Sequence, residues 1–90
     1  MRFEWDEAKN IANIAKHGVG FDQVAPIFEG PIVSWTDTRL DYGEVRTLSI
    51  GQTVDRVVFV VVHTDRAGIT RIISARLASR IERRSYFNAL

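Results

Sequence analysis

The sequence predicts an α+β domain, a meandering and mostly antiparallel β-sheet with two N-terminal helices and a C-terminal helix. Three observations predict it. Val57 to Val62 is an unbroken run of β-branched and aromatic side chains, the composition of a strand covered on both faces. The stretch from 57 to 76 divides around Asp65-Arg66-Ala67-Gly68, whose turn chemistry makes a hairpin of its two arms. Helical spacing of apolar residues flanks this strand-rich middle, before residue 30 and after residue 78.

Ninety residues fit one domain, residues 1–90, with one modest core. The chain has no cysteine, which excludes a disulfide framework, a thiolate metal site and a cysteine nucleophile, and suits the cytoplasm. No apolar run approaches the roughly 18 residues of a membrane span, and the start lacks the apolar core of a signal peptide. The net charge of +1 hides an asymmetry. Residues 1–55 carry 5 basic and 9 acidic side chains, whereas residues 56–90 carry 7 arginines against Asp65 and Glu82. An Arg-only basic half suits bidentate phosphate contact; equally, the two halves can lie side by side and neutralise.

Arg2 to Trp5 reads as a short edge strand. Asp6 is placed as the N-cap of a helix from Glu7, with Lys16 and His17 in its last turn and Gly18 at C′. Ala8, Ile11, Ala12 and Ala15 follow i, i+3, i+4, i+7 and are expected to pack on the sheet, with Lys9, Asn13 and Lys16 on another face. Phe21 to Phe28 is again helical in spacing, but Pro26 limits it to a short or kinked helix ending near Gly30. Ile32 to Thr36 is a brief strand, Asp37 to Gly43 a polar loop, and Glu44 to Ile50 an alternating strand that enters the hairpin through a turn at Gly51 to Arg56. Ser79 and Glu82 have capping-box spacing, so a last helix runs from about Arg80 towards Asn88.

The candidate chemistry depends on register. If the hairpin turn holds four residues, Thr64 pairs with Ile69 and His63 faces Thr70; a simple turn after Ile50 puts Ile50 opposite Val57 and Glu44 opposite His63. One bulge would move Glu44 and Arg46 to the face of Thr64 and Arg71 instead. In either case an acid, arginines and a histidine converge near one end of the sheet. Such a group is what RNA cleavage without a metal needs: a base for the 2′-hydroxyl, cations for the phosphorane and an acid for the leaving oxygen. Glu44 or His63 can serve as base or acid, and Arg46, Arg71 and Arg76 as charge holders. The same residues also describe a cross-strand ion pair and surface charges. His17 and His63 alone make a poor metal set, Ser74 and Ser79 have no evident base, and no cofactor is expected. Trp5, Trp35, Tyr42 and Tyr86 fit core or rim positions, with an exposed Tyr42 able to stack on a base.

Phe3-Glu-Trp-Asp-Glu-Ala-Lys9, Asn13, Lys16-His-Gly-Val19 with Phe21, Gly43-Glu-Val-Arg46, His63-Thr-Asp-Arg66, and Arg71-Ile-Ile-Ser-Ala-Arg76 with Glu82-Arg and Tyr86 form an ordered set. Together they resemble the BrnT toxins of type II toxin-antitoxin systems, from about residue 2 to residue 86. The resemblance implies a RelE-like ribonuclease fold, a toxin that cleaves RNA and arrests translation, and a BrnA-like ribbon-helix-helix antitoxin that binds the shared operon's DNA. On this reading Glu44, Arg46, His63, Arg71 and Arg76 are the expected catalytic residues, and Lys9, Lys16, His17, Arg66 and Arg80 the expected RNA contacts. The competing reading is a non-catalytic partner-binding or nucleic-acid-binding module of a repressor complex.

Overall fold

The valine run is the middle strand of a five-stranded sheet ordered β1-β5-β4-β3-β2 in the computed structural model, which describes residues 1–90. The elements are β1 (Arg2–Glu4), α1 (Glu7–His17), α2 (Phe21–Val24), a 3₁₀ helix (Ala25–Glu29), β2 (Ile32–Asp37), β3 (Arg46–Gln52), β4 (Val58–Arg66), β5 (Ile69–Leu77) and α3 (Arg80–Ala89). β2 to β5 form an antiparallel meander, and β1 returns parallel to β5 at the edge. Val58 to Val62 are all buried, as a strand with elements on both faces requires.

One face of the sheet is covered by α1, α2 and the 3₁₀ helix, whose Phe21, Val24 and Ile27 pack with Phe59, Val61, Ile72 and Ala75. Gly51 permits the close approach here, since a Cβ on it would lie 2.9 Å from Ile27 Cβ. Pro26 acts as expected: α2 stops after Val24, and the chain continues as the 3₁₀ helix. α3 covers part of the other face, with Tyr86 fully buried against Ile50, Val58 and Val60 and its hydroxyl donating to Pro31 O at 2.7 Å. The capping box forms, Glu82 N donating to Ser79 Oγ and Ser79 N to Glu82 Oε1.

α1 is capped as expected, Asp6 accepting from Ala8 N and Lys9 N, with Gly18 left-handed at φ 70°. Its inward face is not the expected one. Ala8, Ile11, Ala12 and Ala15 are exposed, and Asn10 and Asn13 are buried instead. The cause lies in the edge beside it. β1 pairs with β5 only as far as Arg71, so the backbone of Ala75 faces α1 without a strand, and buried peptide groups demand partners. Asn13 supplies them: its Nδ2 donates to Ala75 O and Val19 O, both at 2.8 Å, and its Oδ1 accepts from Ala75 N at 3.1 Å. Asn10 Oδ1 accepts from Phe21 N at 2.9 Å. Asn13 completes the sheet edge that β1 leaves open, and Asn10 ties α1 to the start of α2.

Both expected registers differ. The β4–β5 turn is Ala67-Gly68 alone, with φ of 54° and 82°, and Arg66 pairs with Ile69. Positive φ at both central residues gives a turn whose twist matches the strands, which keeps Asp65 and Arg66 in the ladder. His63 therefore faces Ile72 and Thr64 faces Arg71, whereas Val62 faces Ser74; Ile73 has no partner, a β-bulge. β3 starts at Arg46 rather than Glu44 and runs to Gln52, so Ile50 faces Val60 and Thr47 faces His63. That is a three-residue shift from the simple register, and an odd shift turns a strand over.

Replacing Asn13 with Ala should lower the unfolding free energy by about 2–4 kcal/mol, because three backbone groups lose partners at a buried edge. Urea denaturation checks this, and Ile11→Ala, on the exposed side of α1, should change it by less than about 0.5 kcal/mol.

Candidate active site

The face that α3 only partly covers carries a polar row across all five strands. Asp37 pairs with Arg46, Thr64 with Arg71, and Arg71 with Glu4; the antiparallel pairing of Thr47 with His63 sets Arg46 beside Thr64. Next to it runs an apolar row of Trp35, Leu48 and Val62 that ends in Ser74. The following row contains Val60 and Arg76. Arg71 and Arg76 are five residues apart and would point to opposite faces of a regular strand; the bulge at Ile73 brings both to this one.

Glu44 lies in the lead-in to β3, pinned to β4 by Thr64 Oγ1, which donates to Val45 O at 2.7 Å. Its carboxylate sits between two arginines, 3.6 Å from Arg46 Nε and 3.2 Å from Arg66 Nη2. The Arg46 guanidinium lies 3.8 Å above the centre of the Tyr42 ring, a cation–π contact that fixes its plane. Its Nε is buried and has no hydrogen-bond partner, a donor left wanting an acceptor. The loop that presents Tyr42 is built locally. Asp37 is buried, accepts from Arg39 N, Nε and Nη2 at 3.1, 2.9 and 2.8 Å, and from the Tyr42 hydroxyl at 3.3 Å. Asp41 Oδ1 accepts from Gly43 N, and Gly43 takes the left-handed φ of 72° that the bend needs. Hydrogen bonds from Arg39 hold the Asp37 carboxyl well below the usual carboxylate range.

Arg71 is 3.4 Å from Glu4. Arg76 makes a bidentate pair with Glu82 at 2.7 and 2.8 Å, which pushes the Glu82 carboxyl down to about 2. That pair stabilises the fold at neutral pH, and the contribution is lost as pH falls from about 4.5 towards 2. Beside Arg76 the face sinks into a cleft of about 270 Å³, floored by Leu48, Val62 and Ser74 and rimmed by Lys16, His17, Arg39 and Arg76. The larger hollow, about 730 Å³, opens on the helix side between the α1–α2 turn and the β3–β4 connection; its rim carries Asp22 and Asp55 and no arginine or lysine. Of the two, the smaller is the basic one.

Of the expected catalytic residues, Glu44, Arg46, Arg71 and Arg76 share this face. His63 does not. It follows Phe59 and Val61 on the helix side, where its ring meets Phe28 edge-on at 5.0 Å and its Nε2 is hydrogen-bonded to Ser49 Oγ at 2.7 Å, itself 2.7 Å from Ser34 Oγ. Burial lowers its pKa below the ordinary 6.5, with Asp65 opposing. The sequence expectation that His63 joins the acid and arginines is corrected by the register. Among the expected RNA contacts, Arg66 joins Glu44 and the pair Lys16 and His17 rims the cleft. Lys9 is exposed on α1 two turns before Lys16, and Arg80 is exposed at the start of α3; neither makes an ion pair. Two residues at the site were not expected there, Arg39 and Trp35. The signal available for them was the alternation of β2, which puts Trp35 and Asp37 on one face.

The family described as "Ribonuclease toxin, BrnT, of type II toxin-antitoxin system" matches residues 5–82. The chain belongs to the BrnT family. Among solved structures, the 1.1 Å crystal structure of the Brucella abortus ribonuclease toxin BrnT is similar, with 28% identity, a TM-score of 0.67, and coverage of 89% of this chain and 99% of that one. Curated protein sequences gave no match. Membership of the BrnT family makes this a ribonuclease toxin of a type II system and implies an antitoxin partner. No helix is long and apolar enough to cross a membrane.

Because His63 is held neutral by burial, its contribution to stability is complete above the unfolded pKa near 6.5 and is lost as pH falls below it. The thermal midpoint should fall between pH 7.5 and 5, and His63→Phe, which keeps the ring contact with Phe28, should flatten that dependence. Calorimetry across the range checks it; an unchanged slope in the variant would exclude His63 as its source.

Proposed function

We propose that the chain is an endoribonuclease of the mRNA-interferase type that cleaves RNA without a metal ion and arrests translation, with Glu44, Arg46 and Arg71 as its working residues. The observation that carries this reading is Arg46: stacked on Tyr42, in ion-pair reach of Glu44, and with a buried Nε that lacks an acceptor. The side chain is part exposed and its terminal nitrogens donate to nothing within the chain, so they can take an anionic oxygen. Glu44 takes the proton of the 2′-hydroxyl, the 2′-oxygen bonds to the adjacent phosphorus, and the bond to the 5′-oxygen breaks. The 5′-oxygen leaves with a proton from water, giving a cyclic phosphate and a 5′-hydroxyl. Arg46 and Arg71, two strands and so about 10 Å apart at the backbone, flank the site from either side of Thr64 and meet the charge that develops on the phosphorane. Arg76 lies four residues further along the sheet, where it binds RNA rather than the reacting phosphate.

The partner in this proposal is an antitoxin of the BrnA type, a ribbon-helix-helix protein through which alone the complex contacts DNA. The toxin acts in the cytoplasm, where its substrate is.

Glu44→Gln, Arg46→Ala and Arg71→Ala should each slow RNA cleavage about a hundredfold or more and relieve growth arrest, with the parent protein fully active in EDTA. His63→Phe, on the other face, should retain cleavage within a few-fold. Cleavage that survives all three site substitutions would refute the assignment, and RNA bound but never cut by the parent protein would favour the non-catalytic binding module.

A further inference from the structure

On the ribonuclease reading, the arginine row accounts for one phosphate, the one that reacts. The cleft next to it is unassigned. Its four basic side chains come from separate parts of the chain, Lys16 and His17 from the end of α1, Arg39 from the loop after β2 and Arg76 from β5. Arg39 and Arg76 are near enough for the charge of the first to act on the second. Holding like charges together costs energy unless an anion or acids relieve it. Two acids relieve part of it. Asp37 occupies Nε and one Nη of Arg39, and Glu82 occupies both terminal nitrogens of Arg76. A guanidinium has five N–H donors, so each arginine keeps donors free while its plane is fixed.

A second hollow, about 180 Å³, adjoins the cleft and shares Arg39 and Leu48 with it; Trp35 forms its wall. Trp35 is 44% exposed, and it stands on the same face as the arginines, paired with Leu48. An aromatic plate beside a cluster of fixed cations is the chemistry that holds a single-stranded nucleotide, the base stacked and the phosphate hydrogen-bonded. From the Thr64 row to the Val60 row is four residues of β4, about 13 Å, so the cleft serves a nucleotide away from the reacting bond.

We infer that Trp35, Arg39, Arg76, Lys16 and His17 form a nucleotide subsite that grips the RNA to one side of the cleaved bond, its base on Trp35 and its phosphate between Arg39 and Arg76. Stacking on an aromatic face tolerates every base, so Trp35 sets affinity rather than base identity.

The test uses a short, fully 2′-O-methylated oligoribonucleotide, which lacks the attacking hydroxyl and cannot be cut by this route. Its binding to the full chain is followed by fluorescence anisotropy. Trp35→Leu should weaken binding by about tenfold and Trp35→Phe by less than about threefold, since phenylalanine still stacks. Lys16→Met should weaken binding and reduce the magnitude of the salt slope by about 0.7, one single-strand phosphate contact. In a Trp5→Phe background the remaining Trp35 emission should be quenched by the oligonucleotide. With cleavable RNA the Trp35→Leu loss should appear in KM rather than kcat. If the parent protein binds the oligonucleotide through Trp35 yet cuts no RNA, the ribonuclease reading fails and the subsite stands. If a folded Trp35→Leu protein binds within twofold of the parent, and Trp35 emission does not respond, the subsite is wrong.

Discussion

The bulge at Ile73 is the constraint on which the working face depends. A β-strand sends successive side chains to opposite sides, so Arg71 and Arg76 share a face only because one residue between them drops out of the ladder. The same parity governs the other strands. Arg46 stands beside Thr64 because β3 meets β4 three residues from the simplest register, and Glu44 follows Arg46 through the Thr64 contact to Val45. One extra residue and one odd offset decide which charges can act together. A slip at either place would leave the same composition without a site.

The two faces divide the labour of the chain. On the helix side the sheet is sealed by Phe21, Val24 and Ile27, and the polar atoms that remain there are satisfied, His63 by Ser49 and the Ala75 backbone by Asn13. Desolvation of the half-buried His63 lowers its pKa below the ordinary value, with Asp65 opposing. On the other side α3 closes part of the sheet with Tyr86 and reaches the arginines only at Arg76, through Glu82. Each arginine there is paired with an acid: Arg46 and Arg66 share Glu44, Arg71 has Glu4, Arg39 has Asp37 and Arg76 has Glu82. Exposed pairs of this kind add little stability. Their physical effect is to fix the direction of long side chains before any anion arrives, which lowers the ordering cost of binding.

Much of the architecture was legible in the residues. Capping chemistry marked both ends of α1 and the start of α3, Pro26 marked the change of helix type, and the valine run marked the central strand. Those signals are local, and local physics determined the outcome. The packing face of α1 was not legible from hydrophobic spacing, since Asn13 is buried against an incomplete sheet edge and Asn10 against the start of α2, neighbours that only the tertiary structure reveals. Asparagines three apart inside a helix, where they are poor formers, were the trace of that role. Register was illegible for a similar reason: the turn at Ala67-Gly68 needs positive φ at an alanine, and nothing in the composition announces the bulge. The site was therefore half readable. Glu44, Arg46, Arg71 and Arg76 are together, His63 is not, Trp35 entered through alternation in β2, and Arg39 lies in the loop beyond that strand.

On the proposed ribonuclease reading, RNA meets the face of the arginine row and leaves the face of His63 alone. Side-chain NMR of the full chain, titrated with an uncleavable 2′-O-methylated RNA, distinguishes the two faces. The Arg46, Arg71 and Arg76 Nε–H signals should shift while the His63 and Phe28 ring signals stay unmoved. Shifts concentrated at His63, with those arginine signals unchanged, would contradict that reading.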